Sequence, residues 1–463
     1  MSHNSSPALA PRQNTSNALA LITVNLDDLK RPDRAVRKHP KRQIEKLSQS
    51  LSTFGWVSPV LIDRTNQIIA GVARIEAAHH LGLTTAPAVR IEHLTDAEIR
   101  AYRIADNKLA EAAEWDETLL SIELREIELL GFDLEFTGFE TAEIDILFDA
   151  AEAEDTEEPP VPPLQTQAVS RLGDHWIIGE HQLICGDALE DRTYAALLSG
   201  QKADMVFTDP PYNVPVQGHM GGLGAVRHRE FVMASGEMTA RQFRSFLATT
   251  MKCLQDHTRP GGIVFACMDW RSISPLIEET QSAGLHLLNL CVWNKTNGGM
   301  GSLYRSKHEL IVVARVHGAK HCNNVELGRH GRNRTNVWDY PGANTPGTQM
   351  QDLALHPTVK PVALVADAIL DVSKRGDIVL DPFGGSGSTL LAAERTNRKA
   401  RLIELDPLYV DTIIRRAEAV LGLKATLAST GLSFDEVATR RRTADPSGIR
   451  CRQRPAPSFA QES

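Results

Sequence analysis

The sequence is poor in cysteine and contains no long apolar run. Its six cysteines are scattered and form no Cys-x-x-Cys pair. This pattern argues against a disulfide framework or a zinc ribbon, so we expect no metal site. No apolar run approaches the ~20 residues of a membrane span, and the polar N-terminus lacks the pattern of a secretory signal. These absences favour a cytoplasmic protein without a membrane partner.

An excess of positive charge is also missing. The net charge is −8, from 50 basic and 58 acidic residues, which excludes a general polycation. Any contact with nucleic acid must therefore come from a local basic patch. With 463 residues, 42% of them hydrophobic, the chain is too long for one compact core, and we expect two or more domains.

One short apolar stretch ends in an unusual group of residues. Ala203 to Thr208 predicts a buried strand, and Asp209-Pro210-Pro211-Tyr212 follows it directly. The two prolines stop the strand and fix the backbone. Asp209 and Tyr212 are therefore presented at the carboxyl end of a strand, which is where ligands bind in open α/β sheets.

A second predicted strand, Ile378 to Asp381, also ends in Asp-Pro. A glycine-rich turn and a helix follow it, and Glu404 ends the next strand. The separation of about 20 residues is the one at which an acid meets ribose hydroxyls in nucleotide-binding βαβ units. No Gly-Lys-Ser/Thr is present, which excludes a P-loop. Glycines without a phosphate-binding lysine suit an adenosine cofactor that lacks a pyrophosphate.

These two motifs together resemble those of the S-adenosylmethionine-dependent DNA amino-methyltransferases, over roughly residues 171–423. The acceptor motif precedes the cofactor motif, as in the β class of that family. Further matches are Cys185 to Leu189, Trp293 to Lys295 with Lys307 to Glu309, and His356 to Pro361. The resemblance implies an α/β fold, with a Rossmann-like methyltransferase sheet in permuted motif order.

The same resemblance implies the site residues and the cofactor. The catalytic residues would be Asp209, Pro210, Pro211 and Tyr212. S-adenosylmethionine would be bound by Asp187, His356, Lys360, Asp381, Phe383, Gly384, Gly385, Gly387 and Glu404. Basic residues around the site favour contacts with double-stranded DNA, and the candidates are Arg227, Arg229, Lys307, Arg329, Arg332 and Arg334.

We therefore expect methyl transfer to the N6 amine of a flipped-out adenine at specific DNA sites, as in restriction–modification systems. The resemblance also implies a homodimer. Asp209 and the Pro210 carbonyl would accept hydrogen bonds from the amine, and Tyr212 would stack on the base. Carbon-5 methylation of cytosine is rejected because its Pro-Cys motif is absent. Two alternatives stay open: a cytosine-N4 methyltransferase, and a nucleotide-gated DNA-binding protein whose methyltransferase half is inactive.

The N-terminal part carries a second resemblance. Residues 21–115 contain Lys41 to Phe54 at helical spacing and Gly71-x-x-Arg74 before a second helix. They resemble the ParB/sulfiredoxin-like N-terminal domain of ParB-type proteins, a smaller α+β domain. In that family Gly-x-x-Arg lies at a nucleotide phosphate site, so Gly71 and Arg74 would bind CTP or another nucleotide. A scaffold for protein or DNA contact is the other interpretation.

Composition predicts the remaining boundaries. Residues 1–20 and 425–463 are expected to be disordered tails. Residues 116–150 form an acidic helical extension without an obvious helix-turn-helix, and residues 151–168 form an acidic, proline-rich linker. The methyltransferase domain then spans residues 169–424, with a target-recognition insert at about residues 296–350.

Overall fold

A computed structural model describes residues 19–34, 36–152, 159–213, 236–295, 304–325, 334–342 and 359–444. The chain divides into two compact units, Met1–Ala151 and Glu152–Ser463. No helix within the described ranges has the length and apolar character to cross a membrane.

The first unit is built on a small mixed sheet. Its four strands lie in the order β1-β4-β2-β3, in which β2 and β4 are parallel and the other pairs are antiparallel. The strands are β1 Leu21–Asn25, β2 Val60–Ile62, β3 Ile68–Ala70 and β4 Thr85–Arg90, and the helices are α1 Lys41–Phe54 and α2 Val72–His80. As the apolar spacing predicts, the inward side chains form one core, which includes Leu26, Val60, Ile62, Ile68, Ile75, Ala78, Ala86 and Ala88.

Three further helices complete the first unit: α3 Asp96–Ala110, α4 Glu117–Leu129 and α5 Thr141–Glu152. A capping box formed by Thr95 and Glu98 begins α3. A glycine-containing turn with a short 3-10 segment joins α4 to α5. These two helices have a core of their own, made of Leu124, Leu134, Ile144 and Phe148. The segment is thus a packed pair of helices.

The second unit is an α/β structure around a ten-stranded sheet of order β11-β9-β10-β8-β7-β12-β13-β6-β5-β14. The strands β8, β7, β12, β13 and β6 are parallel, and antiparallel pairs flank them on both sides. The strands are β5 His175–Ile178, β6 His181–Cys185, β7 Ala203–Thr208, β8 Thr258–Met268, β9 Leu285–Asn294, β10 His308–Val316, β11 Val337–Asp339, β12 Ile378–Asp381, β13 Lys399–Glu404 and β14 Ala425–Leu427. The helices are α6 Asp191–Leu198, α7 Ala240–His257, α8 Ile273–Ser282, α9 Val362–Val372, α10 Ser388–Arg395, α11 Pro407–Leu421 and α12 Phe434–Ala444.

The neighbouring strands β7 and β12 form the switch point of this sheet. From β7 the chain continues through α7 to β8 on one side, and from β12 it continues through α10 to β13 on the other. The loops after β7 and β12 therefore diverge and leave a crevice at the strands' carboxyl ends, where α/β sheets bind ligands. This Rossmann-like arrangement agrees with the fold class expected from the sequence.

Two predicted boundaries are wrong. The stretch 425–463 is not a disordered tail throughout, because β14 pairs antiparallel with β5 and α12 follows it. Phe434 is 2% exposed and packs on Trp176, with ring centroids 5.4 Å apart. The insert at about 296–350 is interrupted by β10, which lies between β8 and β9 in the sheet. In both places a few buried apolar side chains outweigh a polar or basic composition.

The described end of the linker packs on the second unit. Val161 is buried, and the Pro159 carbonyl accepts a hydrogen bond from the buried Arg416 at 2.7 Å. The Asp411 carboxylate accepts the backbone N–H groups of Val169 at 2.6 Å and Ser170 at 2.9 Å. The linker from residue 159 onward is therefore anchored.

Candidate active site at the switch point of the large sheet

Asp209 stands directly after β7, and its carboxylate is held from two sides. The Tyr212 hydroxyl donates to Oδ1 at 2.5 Å, and the Lys360 ammonium donates to Oδ2 at 2.5 Å. Pro210 and Pro211 separate Asp209 from Tyr212 and make the turn rigid. The predicted acceptor motif is thus a fixed structure in which the aspartate and the tyrosine touch.

A second carboxylate, which the sequence analysis did not assign to the site, completes this cluster. Glu309 near the start of β10 lies 3.0 Å from Lys360 through Oε2, and the Tyr212 hydroxyl lies 3.2 Å from the same oxygen. Lys295, which follows β9, donates to Oε1 of Glu309. The ammonium of Lys295 also lies 4.4 Å from the ring centroid of Trp293. The motif matches at Trp293 to Lys295 and Lys307 to Glu309 are the sequence signal that could have placed these residues at the site.

The cluster shifts the ionisation of its members. Burial raises the pKa of Asp209 and adjacent Glu309 adds to that rise, while Lys360 opposes it. Burial alone would raise the pKa of Glu309, but Lys360 and Lys295 lower it to about 2. Burial alone would lower the pKa of Lys360, but the two carboxylates raise it. Burial and the same two carboxylates raise the pKa of Tyr212. Two ammonium groups therefore balance two carboxylates.

Asp381 links this cluster to the adjacent strand. It ends β12, is buried, and accepts the hydroxyl of Thr208 at 3.2 Å and that of Thr389 at 2.7 Å. The backbone N–H of Phe383 donates to it at 3.1 Å. Burial raises the pKa of Asp381 to about 7. Since Thr208 directly precedes Asp209, the acceptor motif and the glycine-rich turn share one crevice.

Glu404 lies at the end of β13, beside the glycine-rich turn. Its Oε2 accepts the backbone N–H of Gly385 at 2.9 Å, and its Oε1 accepts that of Asp406 at 2.8 Å. Burial raises the pKa of Glu404 to about 7. A carboxylate oxygen accepts two hydrogen bonds, so each oxygen keeps an acceptor position for a ribose hydroxyl. These open acceptor positions on Glu404 fit the ribose of an adenosine-type cofactor.

Two neighbouring features shape the same edge. Gly387 has φ +82° and precedes α10, and a Cβ there would lie 3.1 Å from the Ile413 side chain. Only glycine lets the turn pass this close to α11. At the end of β6, the backbone N–H of Gly186 donates to the Glu404 carbonyl at 2.9 Å, and Asp187 accepts the Leu189 N–H at 2.9 Å. Asp187 and Glu404 therefore follow neighbouring strands.

The structure brings most of the predicted residues to this edge, with one change of partner. Lys360 was predicted in the cofactor pocket, whereas its ammonium contacts Asp209, Glu309 and Tyr212. The reason is electrostatic, because a buried ammonium needs anionic partners. The remaining predicted residues on the strand ends are Pro210, Pro211, Asp381, Phe383, Gly384, Gly385, Gly387, Glu404 and Asp187. The predicted residues Arg227, Arg229, Arg329, Arg332 and His356 lie outside the described residues.

The two described DNA-contact candidates differ in their surroundings. The side chain of Arg334 is 20% exposed and pairs with Asp367 at 2.8 Å and Asp371 at 3.1 Å, and it donates to the Tyr340 hydroxyl at 3.1 Å. Its guanidinium is thus held by the protein's own carboxylates, and its contact with phosphate stays a prediction. Lys307 is exposed at the start of β10 and stays a prediction.

The predicted nucleotide residues of the first unit have packing roles. Gly71 has φ +102°, and a Cβ there would lie 2.7 Å from Val60. The guanidinium of Arg74 donates to the carbonyls of Ser58 at 2.7 Å and Pro59 at 3.1 Å. Burial lowers the pKa of Arg74, and the charge of Asp106 opposes that shift. The Arg74 guanidinium is therefore held by two backbone carbonyls and by the charge of Asp106.

Comparison with protein families identifies three matching models along the chain. A DNA methylase model of the N6/N4 type matches residues 203–415, and a ParB N-terminal domain model matches residues 10–108. A model of the ParB-methyltransferase HTH domain matches residues 118–172. This last match corrects the expectation of an extension without a helix-turn-helix, since the turn, α5 and all of α4 except its first residue lie within the matched range.

Two curated relatives are similar to about half of this chain. The chain is 25% identical over 254 residues to the type II methyltransferase M.HpaI of Haemophilus parainfluenzae, which covers 52% of this chain and 75% of the relative. It is 27% identical over 238 residues to the type II methyltransferase M2.DpnII of Streptococcus pneumoniae, which covers 49% of this chain and 86% of the relative. A solved structure, the cytosine-N4-specific PvuII DNA methyltransferase, matches at 17% identity with a TM-score of 0.39, over 60% of this chain and 95% of its own.

The ParB N-terminal model lies within the first unit and the methylase model within the second, and the helix-turn-helix model crosses the boundary between them. The site at the ends of β7, β12 and β13 begins and ends within the range of the methylase model. The chain joins a ParB N-terminal domain and a ParB-methyltransferase helix-turn-helix domain to a DNA methylase domain of the N6/N4 family.

Proposed function

We propose that this protein transfers a methyl group from S-adenosylmethionine to the N6 amine of adenine in double-stranded DNA. The observation that carries the proposal is the shared crevice. In it the Asp209 carboxylate, at the end of β7, adjoins the glycine-rich turn through the contact of Thr208 with Asp381. One strand end supplies an acceptor for an amine, and its neighbours supply the residues for an adenosine cofactor.

Glu404, Asp187 and the turn from Phe383 to Gly387 would hold the cofactor. Glu404 offers a partly buried carboxylate to the ribose hydroxyls, and Asp187 follows the adjacent strand. The turn lets the backbone approach closely because glycine occupies its left-handed positions. When bound, S-adenosylmethionine supplies a methyl group on a positively charged sulfur.

Asp209 would act on the amine of the target base. The lone pair of an exocyclic amine is delocalised into the ring, so the amine is a weak nucleophile. A hydrogen bond from the amine to Asp209, and another to the Pro210 carbonyl, favour a pyramidal nitrogen whose lone pair is available. After transfer, an N–H bond of the amine breaks and its proton passes to Asp209. Burial raises the pKa of that carboxyl and so makes it a better proton acceptor.

Tyr212 would hold the base and the aspartate together. Extruding the base from the duplex costs a few kcal/mol, and stacking on an aromatic ring stabilises the extruded base by roughly 1–3 kcal/mol. The Tyr212 hydroxyl is fixed on Asp209 at 2.5 Å, so the ring and the carboxylate keep one relative orientation. That arrangement sets the base amine beside its acceptor.

The choice of adenine rests on the first motif residue. Aspartate at position 209, before Pro-Pro-Tyr, favours adenine-N6 transfer, whereas serine there is commoner among cytosine-N4 members of the resembled family. Cytosine-N4 methylation is the alternative within the same chemistry. The intact cluster of Asp209, Tyr212 and Lys360 argues against an inactive methyltransferase half.

One assay tests the proposal directly. The full-length protein is incubated with double-stranded DNA and labelled S-adenosylmethionine, and the DNA is digested to nucleosides. We expect N6-methyladenine from the wild type and none from Asp209→Ala, with cofactor affinity retained in that variant. N4-methylcytosine would establish the alternative, and the absence of any methylated nucleoside would overturn the proposed activity.

The proposal includes the remaining partners. Lys307 is exposed near the cluster and suits a phosphate contact. A nucleotide at Arg74, a homodimer and a cytoplasmic location complete it. The five described cysteines are free thiols, which suits a reducing compartment.

A further inference from the structure

Lys360 and Glu309 form a buried ionic bridge behind the catalytic aspartate. We propose that both are positioning residues for the methyl transfer: Glu309 holds the Lys360 ammonium on Asp209, and the ammonium keeps Asp209 oriented as an anionic hydrogen-bond acceptor. This inference rests on the proposed function. It assigns Lys360 to the acceptor side of the crevice and away from the cofactor.

The bridge joins three separate elements of the second unit. Asp209 follows β7, Glu309 lies in β10, and Lys360 precedes α9. Their side chains are 21%, 12% and 7% exposed, respectively. The Lys360 ammonium lies 2.5 Å from Asp209 and 3.0 Å from Glu309. The Lys360 ammonium is thus held between the two carboxylates, and its contact with Oδ2 holds the Asp209 carboxylate in place.

Each end of the bridge has a second support. Tyr212 donates to the other oxygen of Asp209, and Lys295 donates to the other oxygen of Glu309. The ammonium of Lys360 also lies 5.7 Å from the Tyr212 ring centroid and 5.8 Å from that of Trp293. Each oxygen of Asp209 is therefore bound once by the protein, whereas Oε2 of Glu309 contacts both Lys360 and the Tyr212 hydroxyl. Asp209 still has unused lone pairs for a substrate amine.

The charges around Asp209 predict opposite effects for the two partners. The titratable groups that act on Asp209 are Tyr212, Cys267, Asp381, Lys360 and Glu309, and Lys295 acts on Glu309. If Lys360 loses its charge, burial and Glu309 both favour protonated Asp209, and the pKa of Asp209 rises. If Glu309 loses its charge, a repulsion is removed while Lys360 remains, and the pKa of Asp209 falls.

The test uses full-length Lys360→Met and Glu309→Gln with Lys252→Met as the matched control, because Lys252 is exposed on α7 and away from the site. The single-turnover methylation rate is measured across pH at saturating S-adenosylmethionine, and the cofactor Kd is measured by calorimetry. We expect a rate loss of roughly 100-fold for Lys360→Met, with the acidic limb of its profile moved to higher pH. Glu309→Gln moves that limb to lower pH. Lys360→Arg, which keeps the charge, retains the wild-type limb, as does the control.

Several outcomes would overturn the inference. A weaker cofactor Kd in Lys360→Met with an unchanged saturated rate would place Lys360 in the cofactor pocket. Acidic limbs that stay in place, or that move in the same direction in both charge-removing variants, would show that the bridge only supports the fold. If circular dichroism shows that Lys360→Met is unfolded, the direction of the shift in Glu309→Gln decides. A wild type that methylates nothing refutes the proposed function, whereas an active wild type with unshifted variants refutes this inference alone.

Discussion

Cofactor affinity is predicted to depend on pH through Glu404. Burial raises the pKa of this carboxyl to about 7, although the backbone N–H groups of Gly385 and Asp406 stabilise its ionised form. Ribose hydroxyls donate to the ionised carboxylate better than to the protonated acid. Binding therefore selects the ionised form, so cofactor binding releases protons near neutral pH and weakens as the pH falls.

The size of the effect follows from the raised pKa. With a free-state pKa of about 7, the ionised fraction falls from about 90% at about pH 8 to about 10% at about pH 6. The Kd for S-adenosylmethionine should therefore rise roughly tenfold between those two pH values, which corresponds to about 1.4 kcal/mol of binding free energy. The charges of Asp406 and Asp381 also act on Glu404, and both raise its pKa.

Isothermal titration calorimetry with S-adenosylmethionine measures both quantities. Titrations at the two pH values give the Kd, and buffers of different ionisation enthalpy give the protons released, about half a proton near pH 7. Glu404→Gln should weaken binding at the higher pH and flatten the dependence. Burial also raises the pKa of Asp381 to about 7. Titrations of Asp381→Asn show how much of the pH dependence of the Kd comes from that carboxyl. A wild-type Kd that changes by less than about twofold, or an unchanged slope in Glu404→Gln, would refute the argument.

Three further predictions concern Gly71, Arg334 and Arg74. Gly71→Ala should destabilise the first unit by about 2–5 kcal/mol, since it adds overpacking on Val60 to the cost of positive φ. The control Gly82→Ala, where φ is +72° and space is open, should cost about 1–2 kcal/mol. Equal losses of stability in urea denaturation would contradict the packing role of Gly71. Arg334→Met should lower stability by about 3–5 kcal/mol because it removes the positive charge that pairs with the buried Asp371 carboxylate, and thermal unfolding without a loss would contradict this structural role. Arg74→Ala should abolish weak CTP binding in fluorescence titrations of the full-length protein, and curves identical to the wild type would remove the nucleotide site.

Much of the methyltransferase half could be predicted from local patterns. A buried apolar run followed by Asp209 and two prolines defines a strand end, and Glu404 follows the glycines at the separation that a βαβ unit requires. Such signals are readable because they depend on backbone conformation and on chain direction. The same local reading failed for α12, where a polar composition hides the few side chains that pack. It predicted the helical character of residues 116–150 but not that α4 and α5 form a helix-turn-helix.

Tertiary structure decided which charged side chains meet. Lys360 is separated from Asp209 by 151 residues, and Glu309 is separated from Tyr212 by 97. Nothing in their local sequence distinguishes an ammonium that binds a cofactor from one that binds a carboxylate. Arg334 likewise carries the charge of a DNA contact, yet α9 places Asp367 and Asp371 against it. The sequence by itself determined the strands, the turn and the chemical groups that the site uses. Which of those groups pair depends on the order of strands in the sheet, because a buried charge is stable only beside an opposite charge, and the strand order decides which charges are neighbours.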